Sequence, residues 1–276
     1  MFELILRKLP VFKGKLRLGR ALFKRKVASN EIEFIKGNYN CIYKIPNLKE
    51  NIGFEIFING VYEKETIEFI IHKIPHNGCF IDIGANIGAI CLPVCKQRPD
   101  INAFAVEASS KVYEFLKYNI ENNFINNCIS LNECISDVDG ENVKFYSPLD
   151  LYGKGSMTPV FTNISEDILS IKLDTFIHGN RILNVKFIKI DIEGFEYLAF
   201  KGAKKLLSGS AAPDILFEFV DWAEETTKKC KQGDAQKILI NYGYKLWKVQ
   251  EKGKLIPLNS IIERGSCMIF ATKCDE

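Results

Sequence analysis

The sequence contains no run of 18 or more apolar residues, roughly the length that an α-helix needs to cross a bilayer. It also lacks any Cys-x-x-Cys pair, although nine cysteines are scattered along the chain. Because zinc sites and disulfide frameworks usually show regular, closely spaced cysteines, this absence argues against both. We therefore expect a soluble, cytoplasmic protein with free thiols and no bound metal.

Net charge is also small. The chain has 37 Lys and Arg residues against 34 Asp and Glu residues, a formal charge of +3 that gives no indication of nucleic-acid binding. The positive charge is concentrated in residues 1–26, which hold nine basic residues and one acid. The basic character is therefore local.

Apolar residues recur near helical spacing in residues 1–26, and Pro10 and Gly14 interrupt them, which predicts two short helices. We favour an arm that packs on the main domain with its lysines in water. The alternative is a basic amphipathic foot that contacts an anionic membrane, which would place the protein at the inner membrane surface.

Residues 1–59 are expected to form an appendage, and residues 60–276 the main domain. Apolar residues alternate in Asn38–Pro46 and Gly53–Ile58, which predicts a small β-hairpin. An apolar stripe at helical spacing then predicts a helix from about Tyr62 to Ile74.

The main domain alternates short apolar runs with helical stretches, the pattern of a parallel sheet covered on both faces. The expected parallel strands are Cys79–Ile83, Ala103–Val106, Ile129–Asn132, Phe187–Ile190 and Ile215–Phe219. Two later runs, Tyr244–Val249 and Cys267–Thr272, are expected to form an antiparallel pair at the sheet edge. The predicted fold class is α/β, a Rossmann-like doubly wound sheet.

The segment from Glu141 to Asp174 has little helical pattern and contains several Gly and Pro residues. We expect a strand at Val143–Tyr146, a long loop, and a second strand at Ile168–Leu173. Because long loops in compact domains are usually functional, this loop is the candidate for acceptor recognition.

A turn of small residues at Phe80–Gly88 follows the first strand. The spacing Asp82-x-Gly84-x-x-x-Gly88 differs from the Gly-x-Gly-x-x-Gly of dinucleotide enzymes, and we interpret the two glycines as places where a side chain would collide with a cofactor. Glu107 ends the second strand, where an acid can accept hydrogen bonds from both ribose hydroxyls of an adenosine cofactor. The alternative is an ordinary strand-to-helix turn with a solvated glutamate.

The stretch from Lys189 to Glu196 places Asp191 and Glu193 just after the fourth strand, at the sheet edge where such folds bind ligands. Acids there can orient an acceptor and remove its proton. We therefore assign Asp191 and Glu193 as catalytic, with Glu218 on the fifth strand as an accessory. Glu196 is expected to be an acid of a first helical turn. His178 is expected to lie on a loop surface, with a catalytic base as the alternative.

These motifs together resemble the FkbM-type methyltransferases, which are class I enzymes that use S-adenosylmethionine. The resemblance covers roughly residues 60–273 and rests on Tyr62-Glu63, Phe80–Gly88, Glu107, Leu173-Asp174 and Lys189–Glu196. It implies a seven-stranded sheet with an antiparallel last strand. It also implies methyl transfer to a hydroxyl of a small molecule or glycan.

By the same resemblance, Tyr62 and Glu63 would flank the methionine end of the cofactor, and Asp137 would face its adenine amino group. The expected cofactor residues are Tyr62, Glu63, Asp82, Gly84, Ala85, Asn86, Gly88, Glu107, Asp137 and Asp191. Two other functions stay open. One is a domain that has kept the fold as a binding or scaffolding partner, and the other, disfavoured by the glycine spacing, is a nicotinamide-dependent oxidoreductase.

Overall fold

The computed structural model describes residues 6–274. Its first elements are α1 (Lys15–Leu22), α2 (Lys24–Ala28), β1 (Glu33–Lys36), β2 (Ile42–Ile45), α3 (Asn51–Asn59) and α4 (Lys64–Lys73). The next are β3 (Cys79–Ile83), α5 (Cys91–Gln97), β4 (Asn102–Val106), α6 (Ser110–Asn122), β5 (Cys128–Leu131), β6 (Cys134–Ser136), β7 (Asn142–Phe145) and β8 (Glu166–Lys172). The last are α7 (Leu173–Gly179), β9 (Val185–Ile190), α8 (Glu196–Lys201), α9 (Lys204–Ser208), β10 (Asp214–Val220), α10 (Asp221–Thr227), α11 (Asp234–Asn241), β11 (Lys245–Val249), β12 (Leu255–Pro257) and β13 (Ser266–Thr272).

The main sheet has the strand order β12-β11-β13-β10-β9-β3-β4-β5. Strands β3, β4, β5, β9 and β10 run parallel, while β13 is antiparallel to both β10 and β11. The α/β fold and the antiparallel last strand are as predicted. The sheet has eight strands rather than seven, because the three-residue β12 pairs with β11 at the edge.

Side chains of the central strands alternate between two cores, one on each face of the sheet. Phe80 of β3 and Phe187 of β9 contribute to the core that also contains α3 to α6. Ile81 and Ile188, the next residues along the same strands, contribute to the core under α7, α8 and α11. Both faces are therefore covered, which explains why these strands are continuous apolar runs.

The predicted hairpin of Asn38–Pro46 with Gly53–Ile58 is wrong. Residues 53–58 lie in α3, and β2 pairs instead with the upstream strand β1. Phe54, Ile56 and Ile58 do alternate, but Phe57 is buried as well. Since α3 is apolar on nearly every side, its sequence carries no clear helical period.

The basic arm packs on α3. An added Cβ on Gly19 would lie 2.7 Å from Ile58 Cδ1, and the rings of Phe23 and Phe57 meet edge to face at 5.0 Å. The guanidinium of Arg20 lies 4.4 Å from the centre of the Phe54 ring. Two short helices were expected in residues 1–26; α1 lies within that region and α2 begins in it and ends two residues beyond, at Ala28. Residues 1–5 of that region lie outside the described part of the chain. No helix among residues 6–274 is long and apolar enough to cross a membrane.

A smaller sheet, β6-β8-β7, lies beside the main one. Strands β7 and β8 pair antiparallel, with Val143 opposite Ile168, so the two strands predicted around the long loop are present. The loop between them, residues 146–165, folds back over the carboxyl ends of the main-sheet strands. The 146–165 loop therefore lies beside the pocket at this edge of the sheet.

Candidate active site

A pocket opens at the carboxyl ends of β3, β4, β9 and β10. Of the residues expected to form the site, nine line it: Tyr62, Glu63, Gly84, Ala85, Asn86, Glu107, Asp191, Glu193 and Glu218. Three others, Asp82, Gly88 and Asp137, are not part of the lining. The sheet therefore brings together strand-end residues that lie far apart in sequence, as open α/β sheets do.

The two glycines of the first turn are required by contacts with the protein itself. Both have positive φ, +77° at Gly84 and +86° at Gly88. An added Cβ on Gly84 would lie 1.9 Å from the carbonyl oxygen of Asp191, and one on Gly88 would lie 2.1 Å from Leu92 Cδ1. Both glycines therefore have a reason within the chain itself, and the expected collision of a side chain with the cofactor stays a prediction. Gly84 lets the β3 turn touch the β9 loop, and Gly88 lets it pack on α5.

Glu107 is buried at the base of the pocket. Its Oε2 accepts a hydrogen bond from Asn86 N at 2.9 Å, and its Oε1 accepts one from Ser109 N at 2.8 Å. Burial raises the pKa of this carboxyl to about 7, although both backbone donors oppose the shift. The carboxylate thus fixes the β3 turn and still keeps lone pairs for a ligand.

A buried lysine links two of the predicted acids. Lys189 Nζ lies 3.5 Å from Asp82 Oδ1 and 3.3 Å from Asp191 Oδ2. Burial works to lower the pKa of Lys189, but Asp191 and Asp82 raise it further, so the net shift is upward. Asp82 is fully buried and its pKa is raised by that burial, whereas the Asp191 side chain is 31% exposed in the pocket. Asp82 therefore acts on the pocket through Lys189.

The loop after β9 is held in an unusual backbone conformation. Glu193 and Gly194 have φ of +53° and +96°, and an added Cβ on Gly194 would lie 2.5 Å from the backbone of Ala223. The buried carboxylate of Glu196 accepts a hydrogen bond from Ile192 N at 3.0 Å. Glu196 is thus a buried anchor of this loop, rather than only an acid of a first helical turn.

The two other catalytic candidates differ in their partners. Glu193 Oε1 accepts a hydrogen bond from Lys154 Nζ at 2.8 Å, while burial still raises the pKa of Glu193. The side-chain carboxylate of Glu218 forms no hydrogen bond with any residue that the structure describes. Its pKa rises to about 7 because of burial first, and then because of the nearby charges of Asp191 and Glu193.

Asp137 and His178 lie elsewhere. The carboxylate of Asp137 accepts a hydrogen bond from Lys201 Nζ of α8 at 2.6 Å, away from the pocket lining. The expected contact of Asp137 with the adenine of the cofactor stays a prediction. His178 belongs to α7 and lines a separate surface depression.

Among the pocket residues that were not predicted from the sequence are Glu50, Tyr152 and Lys154. The side chain of Asn86 reaches the long loop, because its Nδ2 donates to Tyr152 O at 2.7 Å. Glu50 Oε2 and the Tyr152 hydroxyl are buried polar atoms with no hydrogen-bond partner among residues 6–274. One sequence feature could have indicated Lys154: it lies between two glycines in a loop that was expected to be functional.

The pocket carries an excess of negative charge. Seven acids line it, namely Glu50, Glu63, Glu107, Glu133, Asp191, Glu193 and Glu218, against the two lysines Lys154 and Lys189. Such a site attracts a cation and repels a pyrophosphate.

A family model of the methyltransferase FkbM domain matches residues 82–246, more than half of the chain. The chain belongs to the FkbM methyltransferase family. This confirms the predicted family, and with it S-adenosylmethionine as the cofactor of this methyltransferase. A search of curated protein sequences gives no match.

Several solved structures resemble this chain at low sequence identity. One is a precorrin-6y C5,15-methyltransferase from Geobacter metallireducens, at 14% identity over 78% of this chain and 93% of that chain, with a TM-score of 0.43. Another is a SAM-dependent methyltransferase from Aquifex aeolicus, at 12% identity over 76% and 89%, with a TM-score of 0.43. A third is TYW2 from M. jannaschii in complex with AdoMet, at 14% identity over 88% and 86%, with a TM-score of 0.42.

The residues of the pocket fit S-adenosylmethionine. Its sulfonium and ammonium groups outweigh its one carboxylate, so it is a net cation, and this pocket is rich in acids. The buried, unpartnered Glu50 Oε2 and Tyr152 hydroxyl are polar atoms of the kind that a bound ligand satisfies.

Proposed function

We propose that this FkbM methyltransferase moves the methyl group of S-adenosylmethionine to a hydroxyl oxygen of a small molecule or glycan. When bound, the cofactor supplies an electrophilic methyl group. The proposed holding residues are Glu107 for the ribose hydroxyls, Tyr62 and Glu63 for the methionine end, and Asp191 for the ammonium group. Gly84, Ala85 and Asn86 would line its path.

The observation that carries the proposal is the free carboxylate of Glu218. A hydroxyl loses its proton as the new carbon–oxygen bond forms, so a base must stand beside it. Asp191 and Glu193 each contact a lysine, whereas Glu218 has no such contact, and its pKa of about 7 suits proton uptake near neutral pH. We therefore assign the base to Glu218 first, and positioning of the acceptor to Asp191 and Glu193.

The acceptor would enter under the 146–165 loop. Lys154 links this loop to Glu193, and the exposed rings of Phe161 and Trp222 meet edge to face at 5.9 Å. Lys154 Nζ lies 5.9 Å from the centre of the Phe161 ring, so the aromatic pair and the ion pair are neighbours. Aromatic faces beside polar groups suit the ring of a sugar or of a similar hydroxylated molecule.

Binding and turnover test the proposal. Calorimetric titration should show binding of S-adenosylmethionine and none of NAD, whose pyrophosphate would meet the acids. Labelled cofactor, offered with a panel of sugars and hydroxylated metabolites, should give a methylated product. Cofactor binding without any product would favour a binding or scaffolding domain instead.

The pH profile tests the base. Because the carboxylate form of Glu218 is the active one, kcat should rise with pH through about 7. Glu218→Gln should lower kcat by about 10²–10⁴-fold, the usual worth of a positioned base, and remove that rise. Glu133→Gln is the matched control, since Glu133 lines the same pocket but is not a candidate for the base, and the variant should keep the profile. A full rate and an unchanged profile in Glu218→Gln would move the base to Asp191 or Glu193.

The cellular compartment is also a proposal. All nine cysteines are free, and six of them are buried. Because thiols persist in reducing compartments, we place the enzyme in the cytoplasm.

A further inference from the structure

The outer side of the basic arm presents apolar and basic side chains together. Its exposed apolar members are Leu9, Val11, Phe12, Leu18 and Leu22, and its exposed basic members are Lys8, Lys13, Arg17, Lys24 and Arg25. We call these ten residues the arm surface. Val11 is 77% exposed and Leu22 is 55% exposed, so neither is used to build the core.

The arm surface is held in place by the opposite side of the arm. Gly19 and Phe23 pack on α3, and the buried Lys15 donates from Nζ to Leu9 O at 2.8 Å, which ties the preceding loop to the start of α1. Leu18 and Leu22 lie one turn apart on the outer face of α1. The exposed groups therefore sit on an ordered support.

The charge of this surface is of one sign. No acid occurs between Glu3 and Glu31 in the sequence. None of the five exposed bases forms an ion pair with another residue of the described chain. A surface that combines uncompensated bases with exposed apolar side chains matches an anionic lipid interface, which offers negative headgroups above an apolar layer. A nucleic acid would use the charges and leave the apolar side chains without a partner.

The packed side of the arm also contacts the rim of the pocket through Arg20, which is not part of the arm surface. Arg20 Nη2 donates to Lys49 O at 3.2 Å and to Asn51 Oδ1 at 2.7 Å. Asn51 lines the pocket together with its neighbours Glu50 and Ile52. Contact of the arm with a membrane would thus bring the rim of the pocket close to the lipid surface.

We propose that the arm surface docks the enzyme on anionic membranes. The binding is peripheral, with Leu18 and Leu22 entering the interface and the five bases facing the headgroups. Each base near such a surface contributes about fivefold in affinity, and the apolar contacts add to this. The proposal stands apart from the reaction proposed above, since it involves none of the catalytic or cofactor residues.

The test is sedimentation of the full chain with vesicles of phosphatidylcholine, with and without phosphatidylserine. We expect binding only when phosphatidylserine is present, with weakening as salt is raised. The double variant Lys13→Glu/Arg17→Glu should reduce binding by more than about tenfold. Leu18→Ser/Leu22→Ser should reduce it at low salt as well, because it removes the apolar contact.

Controls separate docking from misfolding and from other partners. Leu183→Ser alters a side chain that is 80% exposed on another part of the molecule, and it should bind vesicles like the parent. All variants should bind S-adenosylmethionine normally, because the substituted side chains are exposed. Absence of vesicle binding by the parent would overturn the proposal, as would equal loss in the Leu183 control. A change from dimer to monomer in Leu18→Ser/Leu22→Ser, with no vesicle binding by the parent, would assign the surface to self-association instead.

Discussion

Replacing Glu107 by glutamine is expected to weaken the binding of S-adenosylmethionine by about thirtyfold. Hydrogen bonds to a charged group are worth about 1.5–3 kcal/mol, and the amide keeps one oxygen acceptor, so we expect a loss of about 2 kcal/mol. At about 1.4 kcal/mol per factor of ten, this corresponds to the thirtyfold change. Calorimetric titration at pH 7 measures it.

The substitution also affects the apo protein. Asn86 N and Ser109 N donate to different oxygens of Glu107, and glutamine can accept only one of these bonds. Thermal melts without cofactor must therefore show that the variant is folded. Glu133→Gln is the matched control, and its affinity should stay within about fivefold of the parent, since a partly exposed charge contributes at most about 1 kcal/mol.

Proton release gives a second measurement on the same residue. The pKa of Glu107 is raised to about 7 by burial, and a cationic ligand favours the ionised carboxylate. Affinity should therefore increase as pH rises through about 7, with protons released on binding, and Glu107→Gln should release fewer. Titrations in buffers of different ionisation enthalpy measure the number of protons. A folded variant with the affinity and proton release of the parent would refute this placement of the cofactor.

Three further predictions concern stability, measured by chemical denaturation. Gly84→Ala should lower the free energy of unfolding by about 3 kcal/mol or more, because its Cβ would lie 1.9 Å from a carbonyl oxygen. The control Gly140→Ala, at a similar φ of +73° with nothing within 4 Å, should lower it by about 1–2 kcal/mol. Equal losses would mean that the overlap at residue 84 relaxes freely. Lys189→Met should lower the free energy of unfolding by about 3–5 kcal/mol, because it leaves Asp82 buried without its cation. Adding Asp82→Asn to this variant should recover part of the loss. If the losses of the two single variants simply add in the double variant, the pairing of Lys189 with Asp82 is contradicted. Burial raises the pKa of Glu196 to about 8, so its contribution to stability is greatest below the ordinary pKa near 4.5 and is lost as pH rises to about 8. Glu196→Gln should therefore reduce the loss of unfolding free energy between these pH values. An unchanged pH dependence would exclude Glu196 as the cause of that loss.

The main strands were predictable because of how they are buried. Cys79–Ile83 is covered on both faces, so its sequence is a continuous apolar run with the bounds observed in the structure. The same total burial misled the prediction at α3, where apolar residues on nearly every side hide the helical period. The helical structure of this segment depends on tertiary packing of the arm and the 146–165 loop against α3, and not on a local sequence pattern.

The strand-end residues of the site were also predictable, since parallel strands deliver their carboxyl ends to one edge. Lys154 and Tyr152 were not, because a contact with the Asn86 side chain, 66 residues away in sequence from Tyr152, holds their loop. Asp137 was expected at the pocket from the resemblance to the FkbM family. Its bond to Lys201, a residue 64 positions later in the sequence, directs it elsewhere.

The acids of the pocket divide by their partners into two groups with different tasks. Asp191 and Glu193 contact Lys189 and Lys154, so their positions are fixed by ion pairs. Among residues 6–274 no cation lies close enough to Glu218 to form such a pair, and burial raises the pKa of Glu218 to about 7. In the proposed reaction Glu218 would take up the acceptor's proton, so its carboxylate would be charged before methyl transfer and neutral after it. Before transfer this carboxylate would attract a positively charged cofactor, and its protonated form would not. Protonation of Glu218 would therefore weaken the hold of the pocket on a cationic ligand.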